Sequence, residues 1–229
     1  MIYETFKKYK YAREYDENAS VSQELIETLL KQAWEVTPSK NNFMPYKLHV
    51  IGPEHKDLKN LVYKKCIQNE SKTDNVPDVE TVRYQKDKPN FWNIVSCSYL
   101  LIFTQRVEDN LNKLQSYLVN NKGYTFEQMD PNKLPQAGVN ARFEIGMFSA
   151  ALAGLCFEND LDISHTLCFP DNLESWKEPE FSFIDSRPCF IMTIGKGTVY
   201  RQDSTDINFK EADPKPDFNR IVNILKKDQ

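Results

Sequence analysis

Thr37-Pro38-Ser39-Lys40-Asn41-Asn42-Phe43-Met44-Pro45-Tyr46 is the segment on which the fold turns. Its two prolines fix φ, remove backbone donors and push the residue before each toward extended geometry, so the segment is stiff and irregular. Ser and Asn side chains in such a loop donate and accept hydrogen bonds. Upstream, Leu25, Ile26, Leu29, Leu30, Ala33 and Trp34 fall on one face of a helix running from Ser22 to about Glu35. Ser22 is its N-cap, Glu24 sits in its first turn, and Pro38 ends it by making Thr37 extended. Downstream, Lys47 to Ile51 alternates polar and apolar before Gly52-Pro53, a strand and a turn. A rigid polar loop between a core-facing helix and a strand is a place to hold a ligand.

Outward from that loop, Lys56 to about Gln68 reads as a helix with Leu58, Leu61, Val62 and Cys66 on one side. Residues 69–90 are polar and carry Pro77 and Pro89, the pattern of a long surface loop. Ser98–Thr104 is a short apolar run of buried-strand length, and Phe190–Gly195 is a second. Residues 107–133 show only weak helical patterning. Between Ile145 and Phe157 the chain is small or apolar on nearly every side, the mark of a buried helix in the core or at a subunit interface. Gly146, Ala150 and Gly154 recur every four residues and permit close helix approach. The tail beyond Tyr200 is polar, then carries Phe218, Ile221, Val222, Ile224 and Leu225, which calls for a surface to pack on. Helices flanking a few separated strands give an α+β class, or α/β with a mixed sheet.

The 29 basic and 33 acidic residues among 229 leave a net charge of −4, which gives no broad attraction for nucleic acid or anionic membrane. No stretch of about 18 apolar residues occurs, so no membrane-spanning helix is expected. The stretch from Met1 to Lys7 lacks a signal-peptide pattern. Five widely spaced cysteines argue against a disulfide framework and for a reducing, cytoplasmic setting. His49, His55 and His165 show no metal-ligand spacing.

Three local patterns carry chemistry. Lys10 and Arg13, three apart, clamp a phosphate or form a solvated basic face. Asn69-Glu70-Ser71-Lys72, after the second helix, offers a carboxamide and an ammonium to a heterocycle edge, or is an ordinary helix-end turn. Cys168 beside His165 lacks an orienting third residue, which favours a small hydrophobe over a nucleophile. Gly195-Lys196-Gly197 is no P-loop, and no G-x-G-x-x-G occurs.

Taken in order, these fragments resemble the nitroreductase family of FMN-dependent oxidoreductases. Lys10-Tyr11-Ala12-Arg13-Glu14-Tyr15 stands where the family has Arg-Arg-Ser-x-Arg-x-Phe. The Thr37–Tyr46 loop is similar to its Ala/Ser-Pro-Ser-x-x-Asn-x-Gln-Pro-Trp, and Asn69–Lys72 to the Asn-Glu-Arg-Lys of one subgroup. The helix at 137–158 and the strand end at 194–195 fall where the family places its dimer-core helix and last core strand. The resemblance covers roughly residues 6–222.

That resemblance implies one domain over 1–229, with a mixed β-sheet flanked by helices and a long core or dimer helix. It implies a homodimer with FMN at each interfacial site, and NADH or NADPH as reductant. Lys10, Tyr11 and Arg13 would hold the ribityl phosphate and pyrimidine side, and Pro38, Ser39 and Asn42 would come from the other subunit. Asn69 would approach the pyrimidine edge and Lys72 the nicotinamide cofactor. Leu167 and Cys168 fall where backbone amides lie near flavin N5, and Lys215 is the match for a C-terminal phosphate ligand. Met44 replaces the loop glutamine and Tyr46 the tryptophan, and Tyr9-Lys10 replaces the first arginine pair, which thins the phosphate clamp. The implied activity is ping-pong reduction of nitroaromatics or quinones. Alternatives are another flavin reaction (dehalogenation, flavin fragmentation, heterocycle oxidation) or flavin binding without turnover.

Overall fold

The helix α1 (Gln23–Val36) enters the proline loop as its sequence demands. Ser22 Oγ accepts the Leu25 amide at 3.2 Å and supplies the N-cap. At the other end Thr37 is extended, and its amide and hydroxyl both donate to the Ala33 carbonyl, at 3.1 and 2.6 Å. The computed structural model describes residues 10–39, 44–71, 94–106, 113–124 and 137–200 together with Phe6, the side chains of 68–71, 113–115 and 137–140 excepted. Ile26, Leu29 and Ala33 are buried as the periodicity requires, whereas Trp34 is 56% exposed.

Six strands and four helices are described. A four-stranded sheet runs in the order β2 (Tyr46–Ile51), β3 (Tyr99–Gln105), β5 (Pro188–Gly195), β4 (Asp162–Thr166). β1 (Ala12–Tyr15) and β6 (Gly197–Tyr200) form a separate two-stranded sheet. The class is α+β, as expected. The described pairings are all antiparallel, so the parallel component that a mixed sheet requires is not among them. β3 is buried at every position, which explains its continuous apolar run.

The sheet separates two cores. On one face α1 and α4 (Ala137–Glu158) pack on Leu101, Phe103, Met192 and Ile194. Across this face a row of rings runs from Tyr46 through Phe103 and Phe190 to His165, with centroids 5.5–6.1 Å apart. Such aromatic pairs add to the burial of each ring, itself about 1.5–3 kcal/mol. On the other face α2 (Lys56–Ser71) sets Val62, Tyr63 and Cys66 against Ile51, Leu100 and Ile102. Lys59 of α2 is buried, and its Nζ donates to the carbonyls of Cys97 and Ser98 at 2.7 and 3.0 Å, fixing the turn into β3.

One expectation is corrected here and two open readings are narrowed. The second helix runs on to Ser71, so Asn69, Glu70 and Ser71 lie within it rather than after it. Residues 107–133 contain a helix, α3 (Lys113–Lys122), which weak patterning had hidden. The long helix is not buried all round: Phe143 is 68% exposed, and Gly146 and Ala150 are exposed beside it. Its buried side carries Ala141, Ile145, Phe148 and Leu152.

Candidate functional site

β1 reads Ala12-Arg13-Glu14-Tyr15, too short and too polar to announce a strand, yet three of its four residues are buried. It is held by distant partners. The Tyr15 amide donates to Ser96 Oγ at 3.0 Å, and its hydroxyl lies 2.6 Å from Thr193 Oγ1. Gly195 makes room for the ring, since a Cβ there would stand 2.8 Å from Tyr15 Cδ1. These contacts seat the basic segment 10–13 along the outer edge of β4.

Tyr11 completes that seating. Its hydroxyl donates to the His165 carbonyl and accepts the His165 amide at 3.0 Å, and the two rings meet edge to face. The Arg13 guanidinium lies 5.2 Å from the Tyr11 ring centre, and Lys10 Nζ lies 5.1 Å from that of Tyr200. Tyr200 is in turn bonded to Asp162 Oδ2 at 3.1 Å. Tyr11 therefore lies near the end of β4, which continues through Leu167 and Cys168, with Arg13 by its ring, whereas Lys10 lies by Tyr200, which bonds to Asp162 at the start of that strand. Leu167 is 67% exposed. The Cys168 amide is donated to Thr166 Oγ1 at 2.9 Å, so its use by a ligand requires that this local bond be exchanged. Burial holds the His165 imidazole below its ordinary pKa, so this part of the wall is neutral near pH 7.

The proline loop lies elsewhere. Pro38 is exposed and Ser39 half-buried. Ser39 Oγ accepts the Met44 amide at 2.8 Å. Met44 takes φ 48°, a left-handed conformation that costs a non-glycine residue energy and is retained where surroundings enforce it. The Tyr46 hydroxyl reaches Met44 Sδ at 3.3 Å, so the thioether in the glutamine's place still accepts a hydrogen bond. Burial, and behind it the Glu144 carboxylate, pushes the Tyr46 phenol up to about 12.

Among the described residues, the loop and the basic segment are not brought together within one chain. The loop feeds β2 at one edge of the sheet, and Tyr11 grips β4 at the other. Three strand spacings, roughly 14 Å, separate those edges. Asn69 lies in the last turn of α2, with its side chain outside the described residues, and Asn42, Lys72 and Lys215 lie outside them altogether. His165, Tyr200 and Asp162 belong to the cluster but escape motif reading, because two contribute through backbone or as ring supports. Among the described residues no group of His, Cys, Asp and Glu has metal-binding geometry. No described helix is long and apolar enough to cross a membrane.

Comparison with solved structures fixes the architecture. Over 98% of both chains the protein superposes on a nitroreductase-like protein of Streptococcus mutans, with a TM-score of 0.63 at 15% identity. The chain has the nitroreductase fold. An Exiguobacterium sibiricum nitroreductase solved in complex with FMN matches at TM-score 0.62 and 16% identity, over 98% of this chain and 97% of its own. A BluB-like flavoprotein of Clostridium difficile matches at TM-score 0.61 and 15% identity, over 99% of each chain. No family profile matches the sequence, and no curated protein does. At these identities the likeness is one of fold, which the motif order had pointed to. Within the nitroreductase fold, the basic segment lies along β4 with its two cations by the rings of Tyr11 and Tyr200. That donor set fits a phosphate-bearing planar cofactor.

Proposed function

We propose that the protein binds FMN and works as an NAD(P)H-dependent oxidoreductase on small, flat, electron-poor acceptors such as nitroaromatics or quinones. Reductant and acceptor would use the same site in turn. The observation that carries this reading is the basic segment held along β4 in this fold, Tyr11 on the His165 backbone with Arg13 by its ring and Lys10 by that of Tyr200. Lys10, with Lys215, would meet the phosphate. Arg13, with Lys72, would set positive charge beside the pyrimidine ring. Leu167 and Cys168 would present backbone amides to the ring edge. FMN when bound supplies the hydride chemistry, and the chain supplies placement and electrostatics.

The site is completed by a second copy in this proposal. Its support is the separation of the two walls on opposite sheet edges, together with the open face of α4 at Phe143, Gly146 and Ala150. Trp34 and Val36, in the last turn of α1 immediately before the loop, are exposed as well. Pro38, Ser39 and Asn42 would then close over the partner's cofactor. The homodimer leaves the apolar stripe covered, as large apolar patches on soluble proteins generally are.

The test is an absorbance scan of the purified protein, an FMN titration followed by flavin fluorescence, and anaerobic addition of NADH and of NADPH. Bound FMN that bleaches, followed by turnover of a nitroaromatic or quinone, is the expected result. A protein that takes up no FMN sinks the proposal. One that binds FMN tightly but is reduced by neither nucleotide is a flavin-binding protein instead. Reduction with inactivity on both acceptor classes moves the assignment to another flavin reaction.

A further inference from the structure

The three histidines differ in how their ring nitrogens are used. His49 Nε2 lies 3.1 Å from Thr104 Oγ1, and His55 Nε2 lies 3.0 Å from Glu54 Oε1. His165 is exposed, and among the described residues its ring nitrogens have no hydrogen-bond partner. A neutral imidazole carries one N–H donor and one acceptor nitrogen, so both capacities stand open at this ring.

The open ring is nevertheless held in place. The Tyr11 hydroxyl binds both backbone polar groups of His165. Phe190 lies against the imidazole at 5.5 Å between centroids, with 30° between the planes, and the Tyr11 ring meets it at 5.1 Å and 73°. Beneath it, the strand partner Met192 is fully buried. A free surface side chain loses rotamer freedom when it binds, whereas one already ordered by its neighbours gives up little. The cover of the two rings lowers the imidazole's pKa while leaving the residue exposed, so the group is neutral near pH 7.

The position of this ring in the chain bears on its use. Tyr11, proposed above to hold the cofactor, touches it directly. Leu167 and Cys168, proposed to present backbone amides to the ring edge, follow within three residues. The imidazole thus joins the two parts of the proposed site, by contact on one side and by chain continuity on the other. A flavin ring is flat and bears carbonyl oxygens, and a few placed polar groups fix the orientation of such a ligand.

We propose that His165 is a contact residue for the flavin ring, donating its imidazole N–H to a ring carbonyl while Phe190 and Tyr11 hold it in place. The proposal rests on the FMN reading above and deepens it by adding a side-chain donor. The role is one of binding, and needs no nucleophile at Cys168.

The probe is diethyl pyrocarbonate, which acylates neutral imidazole nitrogens with release of ethanol and carbon dioxide. His165 should react readily near pH 7 in the FMN-free protein. FMN at about ten times its dissociation constant should slow that reaction about tenfold, in step with the unoccupied fraction. Peptide mass spectrometry reads the modification site by site, and His55, exposed beside Glu54, is the reference whose rate FMN leaves unchanged. His165→Phe keeps a flat ring against Phe190 and removes both nitrogens; it should weaken FMN binding about fivefold, as loss of one hydrogen bond does. His165→Gln retains an N–H donor and should recover most of that loss. Near-ultraviolet circular dichroism confirms that both variants fold. FMN that binds without slowing acylation of His165 overturns the proposal, as does unchanged affinity in a folded His165→Phe protein. Equal losses in the two variants overturn the donor role. Protection by raised protein concentration alone, with no further effect of FMN, assigns the cover to a second copy and overturns it as well. A protein that takes up no FMN refutes the flavin reading itself, whatever the reactivity of His165.

Discussion

The Tyr11 hydroxyl satisfies both backbone polar groups of His165, donating to its carbonyl and accepting its amide at 3.0 Å. A side chain thereby occupies the place that a neighbouring strand would take along the β4 edge, a usual site of unwanted strand pairing. Tyr11→Phe keeps the ring beneath Arg13 and removes both bonds, a loss of about 1 kcal/mol. FMN affinity should fall about fivefold. Flavin fluorescence titration measures it, and amide exchange at His165 should quicken in parallel. Unchanged affinity with unchanged exchange refutes a seating role for the hydroxyl.

Tyr15 pins the same segment from the buried side, its hydroxyl 2.6 Å from Thr193 Oγ1. Tyr15→Phe leaves a buried threonine hydroxyl with only a long 3.4 Å bond to the Ser164 carbonyl. The expected cost is about 1–2 kcal/mol in urea denaturation. Combining it with Thr193→Val should cost less than the two single changes added, because both partners then leave together. Strict additivity shows that the two hydroxyls do not interact.

Gly195 is required by proximity rather than by backbone conformation. A Cβ there would meet Tyr15 Cδ1 at 2.8 Å and Ser98 N at 3.1 Å. Tyr15 is fixed by its hydroxyl bond and Ser98 is backbone held in place by Lys59, so neither neighbour yields cheaply. Gly195→Ala should destabilise the fold by about 1–3 kcal/mol and lower the melting temperature. A neutral effect shows that the Tyr15 ring moves freely.

Stability should fall as pH drops below 6.5, the ordinary histidine value. Burial lowers the pKa of His49, with Lys47 adding to it and Asp185 opposing, and burial alone lowers that of His165. The unfolded chain therefore takes up protons first as pH falls, so the contribution is full above 6.5 and is lost below it. Asp185 and Glu178, whose carboxyls lysines hold below their ordinary values against the opposing effect of burial, lose their contributions only at lower pH. Melting temperatures across this range should decline on acidification, and His49→Gln should flatten the slope. A rise on acidification contradicts the assignment.

On the proposed two-copy site, variants of the two walls should complement each other. Arg13→Ala damages both sites of its own homodimer, and Ser39→Ala, which frees the Met44 amide, does the same. Refolding the two together makes half of the dimers mixed, each with one intact site, so about a quarter of normal FMN-binding sites should return. Recovery of none places both walls on a single chain.

Legibility in the sequence followed locality. α1, its Ser22 cap and its end before Pro38 could be read because periodicity, capping and proline sterics act within a few residues. β3 and β5 were visible as apolar runs. β1 was not, because its buried Tyr15 finds its reasons in Ser96, Thr193 and Gly195 far along the chain. β4, with Ser164 and His165 at its centre, looks polar and is placed by pairing with β5. The open side of α4 could not be read from a helix that is apolar all round, since composition does not say which face its own chain covers. For the site, motif order pointed to Lys10, Tyr11 and Arg13; Tyr11 bonds to the His165 backbone with Arg13 by its ring, Lys10 lies by Tyr200, and their cofactor contacts belong to the proposal. The ion-pair cluster of Arg142, Asp171 and Arg187 was invisible because its members lie far apart in the chain.

On the proposed two-copy FMN site, two walls on opposite edges of one sheet would tie cofactor retention to the protein's own concentration. If each chain offers its loop to a neighbour, separation of the copies opens every site, and FMN and the partner stabilise each other by mass action. Dilution should then release flavin from a protein that holds it firmly at high concentration, and added FMN should drive reassembly. Cell abundance would act as a set point for activity, with newly made chains remaining colourless until they meet.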